Sequence, residues 1–201
     1  MSTLAPVNPL AGGLHSFRRF SVDEYHRMID AGILTDEDKV ELLEGYVVLK
    51  MPRNPPHDGT IDLVSGCLGA ILPAGWFLRI HQALTLGDSE PEPDIAAVRG
   101  SRRAYLQRHP SAADVSLIVE VANTSLDRDR DDKTRIYARA GIPWYWIVSL
   151  SDARVEVYSQ PSGPGTAPAY AHHQACKAGD PISLVLDGTI VGTVTTTDLL
   201  P

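Results

Sequence analysis

The chain has 201 residues, of which 43% are hydrophobic and 21% charged, and its formal net charge is −7. This is the composition of a globular protein with a core, and it excludes a disordered chain. The acidic balance argues against tight nonspecific nucleic-acid binding over the whole surface, while leaving room for a local basic face.

Met1 to Gly13 is small and Pro/Gly-containing, so residues 1–16 read as a flexible arm ahead of one domain spanning 17–201. No cationic start leads into a long apolar run, and no apolar stretch is long enough to cross a bilayer. Cys67 and Cys176 are far apart and match no metal spacing. They read as reduced thiols in a cytoplasmic protein.

Ser21 caps a first helix, with Glu24 three residues on and Phe20 and Tyr25 placed as a hydrophobic staple; Gly32 ends it. Thr35 opens a second short helix with Asp36, Glu37 and Asp38 near its positive end. That helical region carries Val40, Leu42 and Leu43 up to Gly45, and Tyr46 to Lys50 comes next as a strand. Pro52, Pro55 and Pro56 mark a loop, after which Ile61, Val64, Leu68, Ile71 and Leu72 keep helical spacing from about Asp58 to Leu72. Cys67 falls on this apolar stripe.

Trp76 to Ile80 and Ala83 to Leu86 read as strands, then Asp94 to Val98 as another. A mixed, arginine-rich segment runs from Arg99 to Asp114. Val115 to Ala122 is a core strand, Asn123 to Ser125 a turn, and Asp127 to Ala140 a charged helix stopped by Gly141. Tyr145 to Leu150 and Arg154 to Tyr158 form a hairpin, and further short strands end the chain, with Ile182 to Leu186 and Thr189 to Val194 the clearest. Strands interleaved with helices give an α/β or α+β class with one central sheet.

Glu120 is the anomaly in this pattern. It lies inside the apolar run Val115 to Ala122, where Ser116, Ile118, Glu120 and Ala122 share one face. A lone ionised carboxylate there is strongly unfavourable unless something compensates it. Asp94 opens a second apolar strand behind the rigid Pro93. An ion pair with an arginine or lysine would satisfy either acid alone. A shared divalent cation would satisfy both, and that points to metal-assisted hydrolysis.

Other residues join as candidates. Lys133 and Tyr137 share a helix face with Asp129, where a plain surface ion pair is the bland alternative. Glu41 and Glu44 could reach a metal or position its water, or be a polar helix face. His57 comes after a double proline near a possible cleft. Arg102 and Arg103 lie in the arginine-rich segment, a candidate phosphate contact or a solvated loop. Trp144-Tyr145-Trp146 is core or, in a self-associating protein, a dimer surface. There is no phosphate-binding glycine loop and no Gly-x-Ser-x-Gly elbow; the adjacent His172 and His173 face opposite ways on a strand and make a poor zinc pair.

The ordered set Val40-Glu41-Leu42-Leu43-Glu44-Gly45, Pro55-Pro56-His57, Glu92-Pro93-Asp94, Val119-Glu120-Val121, Thr124-Ser125, Asp129, Lys133, Tyr137 and Gly141-Ile142-Pro143-Trp144-Tyr145-Trp146-Ile147-Val148 resembles the Uma-two family of restriction endonucleases. That family is a branch of the PD-(D/E)XK nucleases, and the likeness covers roughly Phe20 to Tyr158. It implies a restriction-endonuclease-like core with a central mixed sheet flanked by helices, extra C-terminal strands, DNA as partner, and a homodimer. It implies that Asp94 and Glu120 bind Mg²⁺, with Mn²⁺ as a substitute, and that Glu41 or Glu44 matches an assisting acid on the first helix. The pattern departs in one place that matters. The lysine expected two residues after the second acid is Ala122, and Lys133 on the next helix could supply the ammonium instead. Tyr46 and Ser149 replace acids at peripheral positions.

Overall fold

The computed structural model describes residues 17–123 and 126–201. The expected arm at 1–16, and Thr124 and Ser125 of the expected turn, lie outside them.

Helix α1 (Val22–Asp30) starts with the capping box read from sequence: Ser21 accepts from the Glu24 N–H, and the Glu24 side chain accepts from the Ser21 N–H. Phe20 packs on the small cluster of Val22, Tyr25 and Leu42, as a staple should. The second helix does not form. Asp38 instead closes a turn, accepting from the Thr35 backbone at 2.6 Å and its hydroxyl at 3.0 Å. Val40–Leu43 is a strand (β1), paired antiparallel with β2 (Tyr46–Leu49). The physical reason is the two-residue link. Glu44 and Gly45 have φ of 50° and 81°, the left-handed pair that joins strands tightly. Gly45 is also forced by space, since a Cβ there would lie 2.7 Å from the Arg19 Cβ.

Helix α2 (Pro55–Ile71) begins three residues earlier than its apolar stripe suggests. Asn54 caps it, accepting from the His57 N–H at 3.2 Å, and the two prolines occupy first-turn positions where no N–H is needed. His57 is thereby fixed on a helix rather than in a loop.

The six-stranded sheet has the order β3 (Trp76–Ile80), β4 (Ile95–Arg99), β5 (Val115–Ala122), β6 (Trp144–Ser149), β7 (Arg154–Pro161), β8 (Tyr170–Lys177). Only β5 and β6 run parallel, which requires a crossover. That crossover is α3 (Leu126–Arg128), a π-helical turn (Asp129–Lys133) and α4 (Thr134–Ala140), ended by Gly141 at φ 77°. The expected strand at 83–86 is only an isolated bridge from Thr85 to Ser111.

One sheet face packs on α2, on the hairpin of β9 (Pro181–Leu186) and β10 (Thr189–Thr195), and on α5 (Thr196–Leu199). Gly192 of β10 passes so near α2 that a Cβ would meet Ile71 at 2.8 Å. The other face carries α4, with Ile136 and Tyr137 buried against Ile118, Tyr145 and Ile147. A bulge steps the register from Ala97↔Leu117 to Val98↔Val115, so Ser116 is the extra residue. Val115 thus joins the α4 face, while Ser116 accepts from the Asp187 N–H of the β9–β10 turn; the regular alternation read from sequence breaks there. Tyr145 and Trp146 are core, not a dimer surface. Among the described residues, no helix is long and apolar enough to cross a membrane.

Candidate active site

The ends of β4 and β5, the open end of the β1–β2 hairpin, the start of α2 and the π turn enclose a cavity of about 420 Å³. Its polar floor is Glu41, His57, Asp94, Glu120, Asp129 and Lys133, with His81 and Glu92 beside them.

Asp94 and Glu120 interlock. The Asp94 carboxylate accepts from the Val121 N–H at 2.8 Å, and the Asp94 N–H points to Glu120 Oε2 at 3.4 Å. Adjacent antiparallel strands put the two acids side by side because Ile95 pairs with Val119, one residue inward of each. His57 Nε2 lies 3.3 Å and His81 Nδ1 3.5 Å from the Asp94 carboxylate. Glu120 Oε1 receives the Tyr137 hydroxyl at 2.8 Å and the Lys133 ammonium at 2.8 Å. Among the described residues, no arginine pairs with either acid.

The π turn sets Lys133. A helix widened by one residue rotates every side chain beyond the widening, and such turns recur at functional sites. Here the Asp129 carbonyl collects three donors: the Thr134 N–H, the Thr134 hydroxyl at 2.9 Å and the Tyr145 hydroxyl at 3.1 Å. The Asp129 carboxylate lies 3.6 Å from the Lys133 ammonium. Both are buried, so this is no surface pair. Ala122 lies in the apolar layer beneath α4, in one cluster with Ile136 and Ile147. The ammonium beside Glu120 comes from the helix, on Lys133.

Burial pushes the Glu120 carboxyl up, to about 8; Lys133 opposes the rise, while Asp94 and Asp129 add to it. Burial also raises Asp94, but the His57 and His81 hydrogen bonds and the Lys133 charge carry it net below the usual carboxylate range. Burial alone would lower Lys133; the surrounding Glu120, Glu41, Asp129 and Asp94 hold it firmly charged. The site therefore gathers more negative than positive charge. Its donors are hard carboxylate oxygens, which suit Mg²⁺ or Mn²⁺. Among the described residues, no three His, Cys, Asp or Glu side chains form a ready cage. A Mg²⁺ ion on these carboxylates would complete its oxygen shell with waters and substrate phosphate.

Of the other candidates, Glu41 reaches the cavity from β1, not from a helix, and accepts from the Glu92 N–H at 3.1 Å. Glu44 lies outside the cavity. It is held by Arg139 and by Arg135 at 3.0 and 2.7 Å, and these hydrogen bonds, Arg135 first, outweigh burial and lower its carboxyl to about 2. Arg102 sits 5.1 Å over the Phe77 ring on another groove, and neither it nor Arg103 lines the cavity. Sequence reasoning missed His81 and the cations Lys39, Lys50, Arg53 and Arg128 at the mouth.

The fold has a solved counterpart. It resembles the crystal structure of a protein from Anabaena variabilis ATCC 29413 described as a "putative nuclease belonging to DUF820", with a TM-score of 0.68 over 90% of this chain and 97% of that one. At 15% identity that likeness speaks for the fold alone. The profile of the Uma2 family, described as "Putative restriction endonuclease", matches residues 22–192, and the chain belongs to that family. No curated protein matches it.

Proposed function

We propose that the chain is a Mg²⁺-dependent endodeoxyribonuclease of the PD-(D/E)XK kind, with Mn²⁺ able to substitute. The observation that carries this reading is the interlock of Asp94 and Glu120 over one cavity, compensated by a single lysine and by no arginine among the described residues. Asp94 and Glu120 would hold the ion. When bound, it would neutralise the scissile phosphate and acidify a water.

The remaining roles belong to the chain itself. His57 and His81 keep Asp94 ionised and aimed. Tyr137 fixes Glu120 Oε1, leaving Oε2 on the Asp94 side. The Lys133 ammonium, in the cavity lining 2.8 Å from Glu120 Oε1, would stabilise negative charge on an attacking oxygen or a phosphorane. Glu41 and Asp129 keep that ammonium charged.

Ala122 and the acidic balance favour a second reading, a nucleic-acid-binding or self-associating module on a degenerate nuclease fold. A supercoiled-plasmid assay with Mg²⁺ or Mn²⁺ separates the two. Nicking by the parent and none by Glu120→Ala is expected. An intact plasmid with the parent in both metals, or equal nicking by the variant, ends the nuclease reading.

A further inference from the structure

The cavity has an acidic floor and a cationic rim. Lys39 and Lys50 face each other across the open end of the β1–β2 hairpin, where the Lys50 N–H donates to the Lys39 carbonyl at 2.8 Å. Arg53 lies three residues on, and Arg128 reaches over from the crossover, donating to the Leu49 carbonyl at 3.1 Å. All four line the mouth.

Their pairing differs. Lys50 is neutralised by Glu92 at 2.6 Å. Lys39, Arg53 and Arg128 have no acidic partner among the described residues, although the chain carries a net charge of −7 and most arginines elsewhere sit on carboxylates. Lys39 and Arg53 are also exposed. Beside them stand two apolar side chains left in solvent, Leu49 at 70% and Met51 at 46% exposure. Unpaired cations next to exposed apolar groups match the two chemistries of a nucleic-acid strand, its phosphates and its bases or sugars.

We infer that Lys39, Arg53 and Arg128 form the phosphate track that leads a DNA strand to Asp94 and Glu120, with Leu49 and Met51 lying against its bases or sugars. This rests on the proposed nuclease reading and replaces the arginine-rich segment as the expected contact. The Arg102 guanidinium is spent on the Phe77 ring, and Arg103 is remote from the cavity. It also reconciles an acidic protein with a polyanionic substrate, because attraction is confined to one lip.

The test is the anisotropy of labelled DNA oligonucleotides, single-stranded and duplex, with the full chain in EDTA and across a salt series. Lys39→Ala and Arg53→Ala should each weaken binding about 3- to 10-fold. Each should also reduce the slope of log K against log salt by about 0.9 for duplex or about 0.7 for single strand, one lost phosphate contact. Arg102→Ala and Arg103→Ala should leave affinity and slope unchanged. A greater loss from the single-stranded oligonucleotide in Leu49→Ala would support the base contact, because unstacked bases present their faces. Unchanged slopes in the Lys39 and Arg53 variants, an equal loss in the Arg102 variant, or no DNA binding by the parent would overturn the track. A parent that binds through these side chains yet cuts nothing would leave the track standing and remove hydrolysis.

Discussion

Glu120 and Glu156 stand in one row of the central sheet, each paired with Ile147 of β6 between them. Both are buried, at 2% and 1% exposure, and both project to the side covered by the crossover helix. Their surroundings are opposite. Glu156 takes Arg130 at 3.1 and 2.5 Å, Arg154 at 3.1 and 2.8 Å, and the Tyr158 hydroxyl at 2.8 Å. Burial pushes its carboxyl up, but these donors overcome that and bring it to about 2. Glu120 has one lysine and one hydroxyl, with three further acids nearby, and it rises to about 8. One π turn serves both, sending Arg130 to Glu156 and Lys133 to Glu120. The fold can therefore saturate a buried carboxylate in this row. At Glu120 it supplies a single ammonium and a hydroxyl instead.

The largest effect that tests this contrast is on cleavage. Asp94→Ala and Glu120→Ala are each predicted to lower Mg²⁺-dependent nicking by at least about 10²–10³-fold, the scale of losing one key electrostatic stabiliser. Circular dichroism should remain that of the parent. If either variant cuts at the parental rate, the contrast has no functional meaning. Next in size is the structural partner. Glu156→Gln should cost about 2–3 kcal/mol in urea unfolding, below the ~3–5 kcal/mol of a wholly buried broken pair because both arginines are partly exposed. The parent should also lose about that much stability as pH falls from about 4.5 to about 2. A carboxyl depressed in the folded state stabilises only above its unfolded value, and protonation removes the benefit on the way down through the folded one. The variant should lack that share of the acid slope.

The same division separates the features legible in the sequence from those that were not. Periodicity exposed the stripe of α2 and the two faces of β5 beyond the Ser116 bulge, and residue spacing exposed the capping box at Ser21, because each is a local pattern. Glu120 and Asp94 were visible as acids in apolar strands. Three features were not visible. β2 was read as a strand, but β1 hid behind helix-compatible residues, and only the positive φ at Glu44 and Gly45 turns the pair into a hairpin. The π turn has no composition signal; it is fixed by Thr134 and Tyr145 converging on one carbonyl, a long-range contact. The fate of Glu44 depended on Arg135 and Arg139, some ninety positions away. Charge at a position is legible in a sequence, whereas its neutralisation is set by the fold.

A smaller effect sharpens the comparison without any substrate. If the donors around Glu120 and Asp94 leave room for a cation, Mg²⁺ should stabilise the parent. At an ion concentration about tenfold above Kd the gain is about 1.4 kcal/mol, a rise of a few degrees in Tm by calorimetry. Asp94→Asn should abolish it, and Glu156→Gln should leave it in place. A parent whose Tm ignores both Mg²⁺ and Mn²⁺ would mean the acids are already satisfied.

The smallest effect is the most discriminating, because its sign differs between the two glutamates. Glutamine keeps the shape of the side chain and an oxygen for the Tyr137 hydroxyl but cannot ionise. At Glu156, ionised at neutral pH, that strands two guanidinium groups. At Glu120, whose carboxyl holds its proton up to about 8, it leaves Lys133 with Asp129 and Asp94 still nearby. In a chelator at neutral pH, Glu120→Gln should therefore unfold within about 1 kcal/mol of the parent, or later than it. The pH dependence has a matching sign. A carboxyl raised in the folded state adds stability that is full below its unfolded value, near 4.5, and fades as pH climbs through about 8, so the variant should flatten the parent's decline across that window. A loss of several kcal/mol in Glu120→Gln would place Glu120 beside Glu156 as a structural ion pair, and the reason for assigning a cation to the cavity would go with it.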